Sequence, residues 1–356
     1  MKTNRFIISV IALCCTMVAW AQNEVPTAIL QSGDNVHLYK GVKAFVDAVE
    51  AADDGDVITL SQGVFDSNIN VTKSIKIYGA GFEDDPVAGT EITLINGPLY
   101  YVSLEEDTPL ASVYLEGLCF SNCEVILGRS KGNPTSTIND VTITKCKNIS
   151  NVTISRDILG TMMVTNSVLG SIQGGQTTVV KNMWVKNCYL SGTVKELDPQ
   201  SSVLVDHCII CGHYERNYVY AQIRFTNDIF ASSASYSNSN YWISHNGAGS
   251  YVDHCLYNLK RNGGYYGIEM HWDYGNITNC TEVPYDQMFS DATDAAYTPE
   301  RTFELSNDEW IGNDGTQIGI LGGDGFNKVP STPAVKSLLL GVSGTTLSVT
   351  YDTKVR

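Results

Sequence analysis

Between residues 120 and 280 the chain repeats one short alternation of apolar and polar positions. The copies are Val141-Thr-Ile-Thr-Lys-Cys146, Met163-Val-Thr-Asn-Ser167, Trp184-Val-Lys-Asn-Cys188, Leu204-Val-Asp-His-Cys208, Arg224-Phe-Thr-Asn-Asp228, Tyr251-Val-Asp-His-Cys255 and Asn276-Ile-Thr-Asn-Cys280, with a looser one at Phe120-Ser-Asn-Cys123. From Cys123 onward the final slots lie 23, 21, 21, 20, 20, 27 and 25 residues apart. Each copy has an apolar residue three places before its slot, and Asn or His usually stands directly before it. Alternation of this kind belongs to strands, whose successive side chains point to opposite faces. A fixed period of this length belongs to a solenoid in which each coil adds one layer. At about 3.3 Å per residue, one coil holds about three short strands and their turns. The leucine-rich frame is missing, and so is the 3.6-residue pattern of helical repeats. The prediction is an all-β chain folded as a single-stranded parallel β-helix, a solenoid with rungs of 20–27 residues. The slots then form a column, one per rung, about 4.8 Å apart. Small buried Cys suits such a column, so few or no disulfides are expected. The Asn-rich position before it suits an amide ladder at a sharp bend.

Upstream, Lys40-Gly-Val-Lys-Ala-Phe-Val-Asp-Ala-Val-Glu-Ala-Ala-Asp-Asp54 reads as a short amphipathic helix. Gly55-Asp-Val-Ile-Thr-Leu60, Gly63-Val-Phe65 and Ser74-Ile-Lys-Ile-Tyr-Gly-Ala-Gly81 follow it. This entry resembles that of right-handed β-helix proteins of the pectin-lyase type. The resemblance implies a right-handed coil whose N-terminal α-helix caps an otherwise open end, where core and strand edges would be exposed. Asp314-Gly-Thr-Gln-Ile-Gly-Ile-Leu-Gly-Gly323 resembles a closing segment of secreted bacterial members. The expected organisation is a leader at 22–39, a capped β-helix domain at 40–330 and a C-terminal β extension at 331–356. The extension has the pattern of a strand pair. Residues 82–110 and 128–140 read as turn-rich excursions from the coil.

Composition narrows the function classes. Hydrophobic residues make up 43% and charged residues 17%, too apolar and too weakly charged for a disordered chain. The formal charge of −15 argues against nucleic acid as a partner, because a phosphate-tracking surface needs excess Lys and Arg. Residues 1–21 read as a signal peptide: Lys2 and Arg5 start it, Phe6 to Trp20 is its apolar run, and Ala19-Trp20-Ala21 offers a cleavage site. The expectation is an exported protein, cleaved after Ala21, with no transmembrane segment and a monomeric state.

The resemblance implies carbohydrate chemistry without naming a reaction. The Asn-Thr-Asp and Gly-His-Gly set of polygalacturonases, the Gln-Asp-Thr-Leu set of pectin methylesterases and the Arg-x-Pro-x-x-Arg of pectate lyases are all absent. Fold membership alone licenses none of these activities. The distribution of aromatics is more informative. Residues 214–274 hold 14 of the chain's 34 aromatic residues, more than twice an even share, so a flat-faced surface for sugar rings is expected there. Tyr218, Tyr220, Tyr241, Trp242, Tyr265 and Tyr266 are the candidate substrate-binding residues for a polysaccharide or oligosaccharide. In Gly267-Ile-Glu-Met-His-Trp-Asp273 the alternation puts Glu269, His271 and Asp273 on one face. Stacking Tyr241-Trp-Ile-Ser-His245 and Tyr218-Val-Tyr-Ala-Gln222 one and two rungs earlier brings His245 and Arg224 near them. Arg224 would neutralise a uronate carboxylate. His271 or His245 would act as base or acid in β-elimination. Glu269 would support His271, and Asp273 would serve as a Ca²⁺ ligand, Ca²⁺ being the one cofactor expected. Asp206-His207-Cys208 and Asp253-His254-Cys255 invite a Cys-His-Asp nucleophile, which a buried column cysteine argues against, as does the expectation that neighbours in a strand point opposite ways and cannot form a bonded triad. Two function classes stay open: a carbohydrate-active enzyme on an acidic or plant-type polymer, a polysaccharide lyase in preference to a glycoside hydrolase, and a non-catalytic glycan-binding or surface protein.

Overall fold

The computed structural model describes residues 25–87, 89–103, 108–128, 137–175, 177–212, 214–215, 221–231, 240–241, 250–258, 275–331, 334–343 and 346–354, with the backbone alone at 214–215, 240–241, 275–276, 334–343 and 346–354. The signal-like segment 1–21 lies outside them.

The described chain is all-β apart from one short α-helix and a 3-10 turn, and most strands are parallel in two long sheets. From Val57 onward the first sheet stacks Val57–Leu60, Lys76–Tyr78, Leu110–Glu116, Ile138–Thr144, Ile158–Thr165, Val180–Lys186, Ser202–Asp206, Gln222–Thr226, Ser250–Asp253 and Gly275–Thr278. The second sheet runs from Gly63–Asp66 to Thr281–Glu282 in the same order. The chain visits the two sheets alternately, and each strand pairs with its equivalent in the repeats before and after. This arrangement is consistent with a β-helix. Thr93–Asn96 and Leu99–Tyr101 belong to the second sheet, so 82–110 is less of an excursion than its turn residues suggest.

The core is built in columns. Ile58, Ile77, Leu115, Ile143, Val164, Val185, Val205, Phe225, Val252 and Ile277 stand opposite one another along the first sheet. All but the last are fully buried, and Ile277 is 43% exposed. At the N-terminal end the hairpin Thr27–Ser32/Asn35–Lys40 joins the first sheet antiparallel. Helix α1, Ala44–Ala51, buries Ala44, Phe45, Ala48 and Val49, the stripe that an amphipathic helix presents to a core. It contacts the hairpin and the first strand of each sheet.

The slot column is present, with one change of register. Thr144 stands opposite Glu116, so the position equivalent to Cys146 is Leu118, with Gly117 at the bend. Cys123 instead pairs with Ile149 in the second sheet. Cys146, Cys188, Cys208 and Cys255 are fully buried, and all eight described cysteines are free. The residue before each slot makes the predicted bend. Lys145, Asn166, Asn187, His207, Asn227, His254 and Asn279 all have positive φ, between 49° and 58°. Asn and His tolerate this left-handed conformation better than most residues.

The amides at these bends do not form a ladder among themselves. They hold the C-terminal segment, which runs back along the bends repeat by repeat. Asn227 Oδ1 accepts from Asn313 N (2.9 Å), and Gly319 N donates to the Asn227 carbonyl (2.7 Å). Asn187 Nδ2 donates to the carbonyls of Ile320 (3.0 Å) and Gly322 (2.7 Å). Asn327 N donates to Asn166 Oδ1 (2.7 Å), and Ser331 N to Glu116 Oε1 (2.6 Å). Residues 283–320 also cover the outer face of the second sheet from Val168 onward. Val168, Tyr189, Ile209, Ile229 and Leu256 form a second buried cluster there with Met288, Phe289, Phe303, Leu305, Ile318 and Ile320. Beyond Ser331, Ala334–Ser343 and Thr346–Lys354 form the antiparallel strand pair that the sequence pattern predicts.

Candidate functional site

The outer face of the first sheet is the other long surface of the described residues. Its central row is the residue before each core position: Lys76, Tyr114, Thr142, Met163, Trp184, Leu204, Arg224 and Tyr251 stand opposite one another in sequence. Lys76 and Trp184 are exposed and the others half-buried. Strand pairing spaces them about 4.8 Å apart. The row therefore presents an apolar and aromatic line with a cation at two places and no carboxylate. Lys76 Nζ lies 5.9 Å from the Tyr114 ring centroid, and the Tyr78 and Tyr114 centroids are 5.1 Å apart.

A polar row borders this line. Tyr114 Oη donates to Glu116 Oε2 (2.7 Å). Burial works to raise the Glu116 carboxyl, but bonds from Tyr114 and Ser331 and the Lys145 charge outweigh it and hold it below the usual range. The Tyr114 hydroxyl is pushed up, first by burial and then by that carboxylate. Further along, Thr165 Oγ1 bonds Thr144 Oγ1 (2.8 Å), Thr226 Oγ1 donates to Asp206 Oδ1 (2.8 Å), and Thr278 Oγ1 donates to Asp253 Oδ1 (2.7 Å). Lys186 Nζ is 3.6 Å from Asp206 Oδ2. The border row is thus committed to its own neighbours, which leaves the central row to meet a ligand.

The Asp-His neighbours do meet, contrary to the expectation that strand neighbours point apart. His207 Nδ1 lies 3.1 Å from Asp206 Oδ1, and His254 Nδ1 lies 2.9 Å from Asp253 Oδ2. Each His sits at a left-handed bend rather than in a strand, which turns its ring back toward the preceding carboxylate. Burial works to raise Asp206, yet contacts with His207, Thr226 and Asn227 bring it down to about 2. His207 Nε2 bonds Thr316 Oγ1 (3.1 Å), giving an Asp-His-Thr chain. That hydroxyl lies 2.9 Å from Asp314 Oδ1, its natural acceptor, and accepts from Gly323 N (2.7 Å). The imidazole is only 2% exposed. A nucleophile needs a free hydroxyl and a path for substrate, so this cluster is a fastening for the C-terminal segment. Neither cysteine joins it. Cys208 Sγ contacts the Val185 and Asp206 carbonyls, and burial pushes its thiol well up.

Of the predicted site residues, Arg224 lies in the central row between Leu204 and Tyr251. Tyr241 is described by its backbone. Asn240–Tyr241 pairs antiparallel with Tyr214–Glu215 in a two-stranded ribbon, apart from both long sheets. Tyr218, Tyr220, Trp242, His245, Tyr265, Tyr266, Glu269, His271 and the proposed Ca²⁺ ligand Asp273 lie outside the described residues. Among the described residues, no group of three or more His, Cys, Asp or Glu is placed to hold a metal, and no helix is long and apolar enough to cross a membrane. Sequence reasoning missed Tyr114, Met163, Trp184 and Leu204 as a surface. Their signal was present four places before each slot, but only the slot and the core position were read. No protein-family model matches the chain, and no curated protein matches it in sequence.

Proposed function

We propose that this is an exported right-handed β-helix protein of the pectin-lyase type in which the outer face of the first sheet binds an acidic glycan chain. The observation that carries the reading is the central row. A linear array of flat and apolar side chains, one per repeat, suits a linear polymer of amphipathic rings. Its cations and lack of carboxylates suit an anionic one. Alternation of the chain between two parallel sheets, with a helix at one end, supports the closed coil. Arg224 in the row favours a second reading, polysaccharide β-elimination, in which it neutralises the uronate carboxylate while His271 or His245 moves the proton.

The test is binding of the purified protein to polyuronates and to neutral polymers, with and without Ca²⁺. An acidic protein repels polyuronates unless a cation bridges them. Trp184→Ala should weaken binding by about tenfold or more, the scale of a buried aromatic contact. Absence of binding to any polymer of the panel would sink the reading. Absorbance at 235 nm appearing with substrate selects the lyase, and its absence selects the non-catalytic binder.

A further inference from the structure

The slot column ends in a pair of thiols unlike the rest. Asp253 stands opposite Thr278 and Leu256 opposite Thr281, which sets Cys255 directly opposite Cys280 in the next repeat. Adjacent strands bring their backbones within about 4.8 Å, inside the roughly 4.4–6.8 Å range that a disulfide spans. Cys280 Sγ also reaches across to the Val252 carbonyl of the Cys255 repeat (3.8 Å). Cys208 Sγ reaches the Val185 carbonyl of the Cys188 repeat in the same way (3.5 Å), but Cys208 and Cys188, two and three repeats before Cys255, are both fully buried. Cys255 is fully buried as well, whereas Cys280 is half-buried. The difference comes from position. Among the described residues, Gly275–Thr278 and Thr281–Glu282 are the last strands of their sheets, and Ile277, beside Cys280, is 43% exposed where its column mates are closed off.

We propose that Cys255 and Cys280 form a redox-active dithiol, with Cys280 reacting first and Cys255 resolving. The Cys280 thiolate attacks one sulfur of an external disulfide, forming a mixed disulfide and expelling one thiolate. The Cys255 sulfur, losing its proton, then attacks Cys280 Sγ and expels the second thiolate. One external disulfide is reduced to two thiols, and two protein thiols are oxidised to one cross-repeat bridge. Access and thiolate character select the attacking group. Contact with the Cys255 thiol draws Cys280 down, while burial pushes Cys255 up. The bridge would tie the last repeat to the one before it, at the end where the core is least covered. This inference is independent of the glycan reading.

The experiment treats the native protein with oxidised glutathione, quenches with alkylating agent and digests with trypsin. Cys255 and Cys280 fall in separate single-cysteine peptides, 225–260 and 262–301. The expected product is these two peptides joined by a disulfide, with Cys146, Cys188 and Cys208 alkylated only after denaturation. Cys255→Ser should leave a stable glutathione adduct on Cys280, and Cys280→Ser should leave Cys255 unreactive. Serine is compatible with the slot, since Ser167 occupies it in another repeat. A persistent adduct on wild-type Cys280, or no reaction there, overturns the proposal. So does bridging of Cys188 to Cys208 at an equal rate.

Discussion

Asp228 is the one carboxylate among the slot residues, and it is fully buried. Its Oδ1 accepts from Cys208 N (2.7 Å), while Oδ2 has no partner. Burial pushes its carboxyl well above the usual range, so the folded chain keeps the proton there. The unfolded chain releases it above about pH 4. Stability from this group is therefore full below about pH 4 and is lost as pH rises. Ser167 shows what a better occupant does: its Oγ accepts from Cys146 N (3.1 Å) and donates to the Thr165 carbonyl (2.7 Å). Asp228→Ser should raise stability at pH 7 by about 1–3 kcal/mol, the cost of a buried unsatisfied polar group. The gain should shrink toward pH 4, read as urea midpoints across that range. A destabilised variant at pH 8 would show that the acid is stabilising after all. The substitution of Asp for Cys was visible in the sequence. Its burial was predictable from the column, but the orphan oxygen was not, because that depends on which atoms face it across the repeat.

At the scale of elements, the C-terminal segment joins the turns to the second sheet. Ile229 lies under it, touching the neighbourhood of Gly319, where a side chain would collide with Ile229 Cδ1. Gly319 also needs positive φ, 89°. Ile229→Ala should cost about 2–4 kcal/mol, the range for a large-to-small change in a packed cluster. Gly322→Ala should release the segment more selectively, because an added Cβ would strike the His207 ring and the Gln317 carbonyl. Limited proteolysis checks this: cleavage within 311–331 should speed up while the sheets stay resistant. Equal resistance of variant and wild type would mean that the fastening at His207 is dispensable. The repeat pattern announced the bends but not what they grip. The C-terminal partners of Asn166, Asn187 and Asn227 lie 86 or more residues downstream, at Asn313 to Asn327, and no local pattern encodes that pairing.

At the scale of the whole molecule, the two long faces and the two ends are treated differently. Among the described residues, the returning chain covers the second sheet from Val168 onward, while Lys76 and Trp184 in the outer row of the first sheet are exposed. One end carries a hairpin and α1; at the other, Ile277 is 43% exposed, and Gly275–Thr278 and Thr281–Glu282 are the last strands of the two sheets among the described residues. Backbone amides of Gly275–Thr278 should therefore exchange with solvent at least about tenfold faster than those of Ser202–Asp206, since local opening follows missing contacts. Uniform protection along the first sheet would show that the far end is closed in solution. Repetition is why so much was legible in advance. A period repeated along the chain sets strand direction, pairing and the contents of each column, because every repeat must present the same face to its neighbours. Sequence alone thus determined the parallel strands, the stacked slots, a sharp bend before each slot and the strand pair at the C-terminus. Only the tertiary structure decided that Leu118, not Cys123, continues the column, that the bend amides hold the C-terminal segment, and that the returning chain covers the second sheet from Val168 onward. Those outcomes depend on where a distant, non-repeating segment comes to rest, and its apolar residues fit the second sheet's outer face without any period to announce it.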